Sequence, residues 1–131
     1  MNSLKVVRSL AIVFTFLVCF SSCMKDPPSV SGDRSIKYEI TGNFTGKLTI
    51  VYNDNINGNT VSNNDSIPWT KQLRLPLSVV AIGIGAQSSV RGLSGQTVTL
   101  KIYSSNNAVK TSTATAGSVG EIAIPTIAYI F

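Results

Sequence analysis

From residue 36 onward the chain alternates apolar and polar positions with a period of two. Ile36, Tyr38 and Ile40 are separated by Lys37 and Glu39, and Leu48, Ile50 and Tyr52 alternate with Lys47, Thr49 and Val51. Successive side chains of a strand point to opposite faces, so the pattern predicts half-buried β-strands over 36–41 and 47–52. Gly42-Asn43 falls between them and predicts a tight hairpin turn. Further strands are expected over 69–75, 79–85, 97–104, 108–116 and 121–130, with turn clusters at 53–59, 63–66, 91–96, 105–107 and 117–120. No window of helical length combines apolar periodicity with good helix formers; Val, Ile, Thr, Ser, Asn and Gly dominate. Val79-Val80-Ala81-Ile82 is apolar on both faces, which suits a central strand. About seven short strands in roughly 100 residues predict an all-β domain over 35–131, a small antiparallel β-sandwich.

The first 22 residues follow another pattern. Lys5 and Arg8 precede an apolar run over 9–20, about the length of a secretory h-region. A membrane-spanning helix needs roughly 20 apolar residues, and Ser21, Ser22, Lys25 and Asp26 end this run well short of that. Phe20-Ser21-Ser22-Cys23 resembles the lipobox of Bacteroidetes-type lipoproteins, whose cysteine is thioether-linked to diacylglycerol before cleavage. The resemblance implies a lipoprotein signal peptide over 1–22 and lipidation at Cys23. It also implies a lipid-anchored address in the cell envelope, at the outer membrane, with periplasmic and surface-facing orientations both open. Pro27, Pro28 and the small polar residues after them read as a tether completing 23–34. At about 3.1 Å per residue that tether spans some 30 Å, so the domain is expected close to the membrane.

Removal of the leader changes the composition that matters. Of eleven Lys and Arg, Lys5 and Arg8 leave with it, so nine remain against six Asp and Glu, a net of +3 over 109 residues. These charges are scattered singly, with no basic run, and no nucleic-acid partner is expected. Cys19 also lies in the leader, so Cys23 is the one cysteine left, and acylation removes its thiol from disulfide or metal chemistry. Histidine is absent from all 131 residues, which excludes His-based acid or base catalysis, Ser-His-Asp triads and His-ligated zinc. Two of the six carboxylates could serve a paired-carboxylate glycosidase, but four of them lie in the tether or in Asn-rich turns and Glu39 alternates outward. No catalytic residue and no cofactor is expected.

Three features invite a site reading. Trp69, the only tryptophan, follows Ile67-Pro68 at the start of a strand, where its indole fills a core or offers a ligand or partner contact. Asn53-Asp54-Asn55-Ile56-Asn57-Gly58 spaces oxygen side chains as calcium loops do, but Asn64 stands where a bidentate Glu belongs, so a hairpin loop is the better reading and no metal is expected. Asp65-Ser66-Ile67 resembles an O-glycosylation site of Bacteroidetes envelope proteins, which would place the sugar on Ser66. Gly83-Ile84-Gly85 sits in an apolar β-like run and predicts a bulge or a close approach between strands, since a dinucleotide loop would need a third glycine and a following helix.

The order Tyr38-Glu39-Ile40-Thr41-Gly42, then Leu48-Thr49-Ile50-Val51-Tyr52-Asn53-Asp54, then Ile67-Pro68-Trp69-Thr70-Lys71, resembles the soluble domain of the MmpS family, small membrane-anchored accessory proteins of lipid transporters. The segment 98–103 with Asn106, Asn107 and Val109 resembles that family's next hairpin. The chain departs from the family in having a lipobox cysteine where members carry a transmembrane helix, and Leu100 and Ile102 where many carry a cysteine. The resemblance implies an immunoglobulin-like sandwich and an accessory role beside an envelope transporter or assembly protein. The alternatives are a glycan- or lipid-binding module using Trp69 and 77–86, and a structural surface lipoprotein.

Overall fold

The computed structural model describes residues 32–54 and 58–131; the leader, Cys23 and most of the tether fall outside them. Eight strands and no helix make up the described residues: β1 (Asp33–Gly42), β2 (Lys47–Asn53), β3 (Asn59–Asp65), β4 (Trp69–Pro76), β5 (Ala81–Val90), β6 (Thr97–Ser104), β7 (Asn107–Thr115) and β8 (Ala123–Ile130). They form two four-stranded antiparallel sheets, β4-β1-β6-β7 and β3-β2-β5-β8. The fold is therefore an all-β sandwich, with eight strands where seven were expected.

The alternation read from the sequence becomes the core. Ile36, Tyr38 and Ile40 of β1, Leu48, Ile50 and Tyr52 of β2, Ile82, Ile84 and Ala86 of β5, and Val98, Leu100 and Ile102 of β6 are buried between the sheets. β-branched side chains fit this pleated, enclosed surface because their stiff χ1 loses little freedom there. β5 is a central strand, but not through the apolar run 79–82: Val79 and Val80 precede it, and Val80 and Ala81 are exposed.

The Gly42-Asn43 hairpin is corrected. β1 and β2 belong to different sheets, and residues 43–46 carry the chain across the sandwich as an arch. Both strands bury one apolar row, and a period of two is the same whether those rows lie side by side or face each other. Long-range bonds fix the arch: Asn43 N donates to Thr97 O at 3.1 Å, and Thr97 N donates to Asn43 Oδ1 at 2.7 Å. Phe44, 4% exposed, plugs this end of the core.

β3 overlaps the ends of two expected turn clusters, taking residue 59 from one and 63–65 from the other, and includes 60–62 between them. Asn and Asp are poor strand formers, yet 59–65 pairs along β2 and forms the outer edge of its sheet. At an edge, polar side chains stay solvated while the backbone gains a ladder, and they discourage pairing with another chain. The glycine expectation holds at Gly85. The register between β5 and β8 shifts at Ile84/Ala86, and a Cβ on Gly85 would come within 2.5 Å of Thr126 Oγ1.

The loops 91–96 and 116–122 meet at the same pole as the arch, where Gly92 N donates to Gly120 O at 2.8 Å. Gly120 has φ +76°, and a Cβ there would collide with the Gly92 carbonyl. Gly120→Ala should therefore destabilise the domain by at least about 2 kcal/mol, measured by urea unfolding, from strain in the left-handed region plus the collision.

Candidate functional site

Trp69 opens β4 opposite Ile40 of β1, which turns its indole toward the interior, where it is half-buried. Its ring lies 5.6 Å from Tyr52, and Tyr52 lies 5.8 Å from Tyr38, so three aromatics from β4, β2 and β1 form one tilted column joining the two sheets. Aromatic pairs at these separations add to the energy of burial. Of the two roles open to Trp69, packing is the one its geometry serves. The segment 77–86 is divided in the same way: Val79, Ile82, Ile84 and Ala86 point inward, whereas Val80 and Ala81 are exposed.

Within the column the Tyr38 hydroxyl donates to Asn53 O at 2.9 Å. Burial pushes the Tyr38 phenol well above its ordinary value of 10.0, and the neighbouring Asp54 and Tyr52 push it further. Asp54 is itself buried and accepts from Thr60 Oγ1 at 2.8 Å, while its backbone N donates to Gly58 O at 3.2 Å. That carboxylate closes the β2–β3 loop. Residues 55–57 of the calcium-like pattern fall outside the described residues. Among the described residues, no three His, Cys, Asp or Glu side chains come together to hold a metal.

Ser66 is exposed in the turn between β3 and β4, where Lys47 Nζ donates to its hydroxyl. Ser66 and Trp69 therefore do not converge: one faces solvent and the other the interior. Cys23 lies outside the described residues.

The two outer faces of the sandwich differ in chemistry. Glu39, Thr41, Thr99, Lys101 and Thr113 lie on the outer face of the β4-β1-β6-β7 sheet, with Thr99 and Thr113 hydroxyls 3.0 Å apart. Glu39 accepts from Lys37 Nζ and from the Tyr103 hydroxyl, each at 2.9 Å, and Lys37 Nζ also sits 3.9 Å from the Tyr103 ring centroid. The Lys37 hydrogen bond, then that of Tyr103, holds the Glu39 carboxyl below its ordinary range. This knot is a solvated cross-strand network of modest worth.

The outer face of the other sheet is mixed: Thr49, Asn53, Asn59, Gln87 and Thr126 surround a centre of small and aliphatic residues. Val61 of β3 lies beside Val51 of β2, Val51 beside Gly85 of β5, and Gly83 beside Ala128 of β8. Along β5 the two glycines leave a shallow trough walled by Val51 on one side and by Thr126 and Ala128 on the other, with volumes of about 400 Å³ toward Ala81 and about 200 Å³ toward Gln87. Val51 and Val61 remain 40% and 53% exposed, so apolar surface is presented to solvent on this face. Sequence reasoning did not assemble this surface. Its one signal was Val51, an apolar residue at an outward position of an alternating strand; Gly83, Gly85 and Ala128 carry no such mark.

Comparison with protein-family models and with curated proteins finds no match to this chain.

Two measurements check the column. Unfolded Tyr38 titrates near pH 10, and its folded value is higher, so its contribution to stability is complete below about pH 10 and lost as the pH rises beyond. Tyr38→Phe should cost about 1 kcal/mol at neutral pH for the lost hydrogen bond. It should also make stability fall less steeply above pH 10, by up to about 1.4 kcal/mol per pH unit. Trp69 emission should be blue-shifted relative to the unfolded chain and only partly quenched by iodide; full quenching would remove Trp69 from the column.

Proposed function

We propose that this chain is a non-enzymatic envelope lipoprotein that acts as an accessory or interaction protein of a membrane transport or assembly system. The observation that carries the proposal is the asymmetry of the two outer faces. One is covered by threonines and charged side chains, whereas the other presents Val51, Val61, Ala128 and a glycine-floored trough. Apolar residues left in water add nothing to the domain's own stability, and aliphatic side chains grouped around a trough on one sheet face favour a contact surface.

The composition and the MmpS-like motif order support the same reading. With histidine absent, Glu39 tied to Lys37 and Tyr103, and Asp54 tied to Thr60, the polar groups serve the fold. The Tyr38 and Tyr52 motifs lie on β1 and β2, and Pro68-Trp69 opens β4, so the segments that carry the resemblance form the aromatic column. The lipid anchor at Cys23 would hold the domain at the outer membrane beside its partner. In the small-ligand alternative, the trough replaces Trp69 as the seat, because the indole is turned inward.

Photo-crosslinking residues placed at 51 and 61 should capture a transport or assembly protein of the envelope in intact cells, and one placed at Thr113 should not. Val51→Glu with Val61→Glu should lower that capture about tenfold, the equivalent of about 1.4 kcal/mol, with an unchanged melting temperature. Equal capture from 113, or no envelope partner from 51 and 61, would refute the proposal.

A further inference from the structure

We infer that the pole of the sandwich where the chain enters β1 is itself a lipid-contacting surface, with Val80 and Ile130 seated in the membrane interface. The inference rests on the anchor at Cys23.

Three observations place these two residues there. First, Val80 and Ile130 are the most exposed large hydrophobic residues described, at 74% and 75%. They are neighbours, since Ile130 lies opposite Ala81 and Phe131 N donates to Val80 O at 3.0 Å. Secondly, they are held outward by packing. Val79 is buried, the Tyr129 and Phe131 rings meet edge-on at 5.2 Å, and the Arg34 guanidinium lies 4.2 Å from the Phe131 centroid while donating to Val79 O at 2.6 Å. Thirdly, Arg34 belongs to the first turn of chain in β1: Asp33 pairs with Pro76 and Arg34 with Leu75. The start of β1 and the apolar pair therefore share one pole.

The length of chain outside the structure then selects the occupant. Residues 24–32 separate Cys23 from Asp33, nine in all, and reach at most about 28 Å at 3.1 Å per residue. A tether this short keeps its pole at an effective concentration on the order of millimolar relative to the bilayer, so a contact too weak to bind free protein is populated. Arg34 and the exposed Arg74, on β4 beside Ser35, put cations at this end of the sheet, with Asp33 the opposing charge nearby. Two aliphatic side chains with the Arg34 guanidinium beside them match the apolar and polar layers of an interface.

Cys23 is the only cysteine in 23–131, so one introduced thiol can be labelled in the full-length acylated protein. Val80→Cys and, at the opposite pole, Leu93→Cys would each carry an environment-sensitive fluorophore in phosphatidylethanolamine and phosphatidylglycerol vesicles. Position 80 should be blue-shifted and quenched several-fold more by nitroxide lipids than position 93, and Ile130→Asp should abolish most of that difference. Equal quenching at the two positions in protein whose Cys23 acylation is verified by mass would overturn this inference alone. An environment shift at 80 that vanishes on diluting the protein within the vesicles would assign the surface to a second copy and also overturn it. An N-terminus without diacylglycerol would overturn the anchor, and this contact with it.

Discussion

Burial of two apolar rows against each other, Ile36, Tyr38 and Ile40 from one sheet and Leu48, Ile50 and Tyr52 from the other, is the constraint on which the rest of this domain depends. With Cys19 in the leader and Cys23 in the tether, residues 35–131 have no cysteine with which to form a disulfide, so the sheets are held by packing and by the hydrogen bonds that cross between their connecting segments. The column Tyr38, Tyr52 and Trp69 ties three strands of both sheets at one point, and the Tyr38 hydroxyl bond to Asn53 fixes its depth. At the pole of the arch, Phe44 and the meeting of Gly92 with Gly120 close the core without a bulky loop.

Once the interior is filled this way, function falls to the exterior. Buried polar groups are few: Asp54 is the only buried polar or charged residue described, and it serves the β2–β3 loop through Thr60. Surface carboxylates engage in pairs of structural kind, such as Glu39 with Lys37 and Tyr103. Val51, Val61 and Ala128 on one outer face, and Val80 and Ile130 at one pole, leave aliphatic surface in solvent. They are continuous through Ala81, Ala128 and Ile130, so a membrane-seated pole would direct the trough away from the bilayer along β5.

Strand positions were legible where a side-chain row had one destination. β1, β2 and β6 lie within a few residues of their expected limits, because their inward rows are apolar and their flanking turns are marked by Gly, Asn or Ser. β3 was not legible. Its residues, Asn59, Thr60, Val61, Ser62, Asn63, Asn64 and Asp65, have no buried row, and only the backbone of β2 makes them a strand. Trp69 was legible as a large residue at a strand opening, but the choice between core and surface depended on which neighbour lay opposite. That neighbour is Ile40, inward-facing, and register alone supplied it.

The sequence by itself determined an all-β sandwich and its lack of histidine and spare cysteine, because periodicity and composition are properties of the chain taken locally. It also carries the Phe20-Ser21-Ser22-Cys23 motif on which the expectation of a lipid anchor rests. Tertiary structure alone decided which sheet each strand joins, turning an expected hairpin into an arch. It also decided which outward residues share a surface, gathering Val51, Val61, Gly83, Gly85 and Ala128 from four strands. The physical reason is that a strand's period of two records which side is buried but carries no information about which partner buries it.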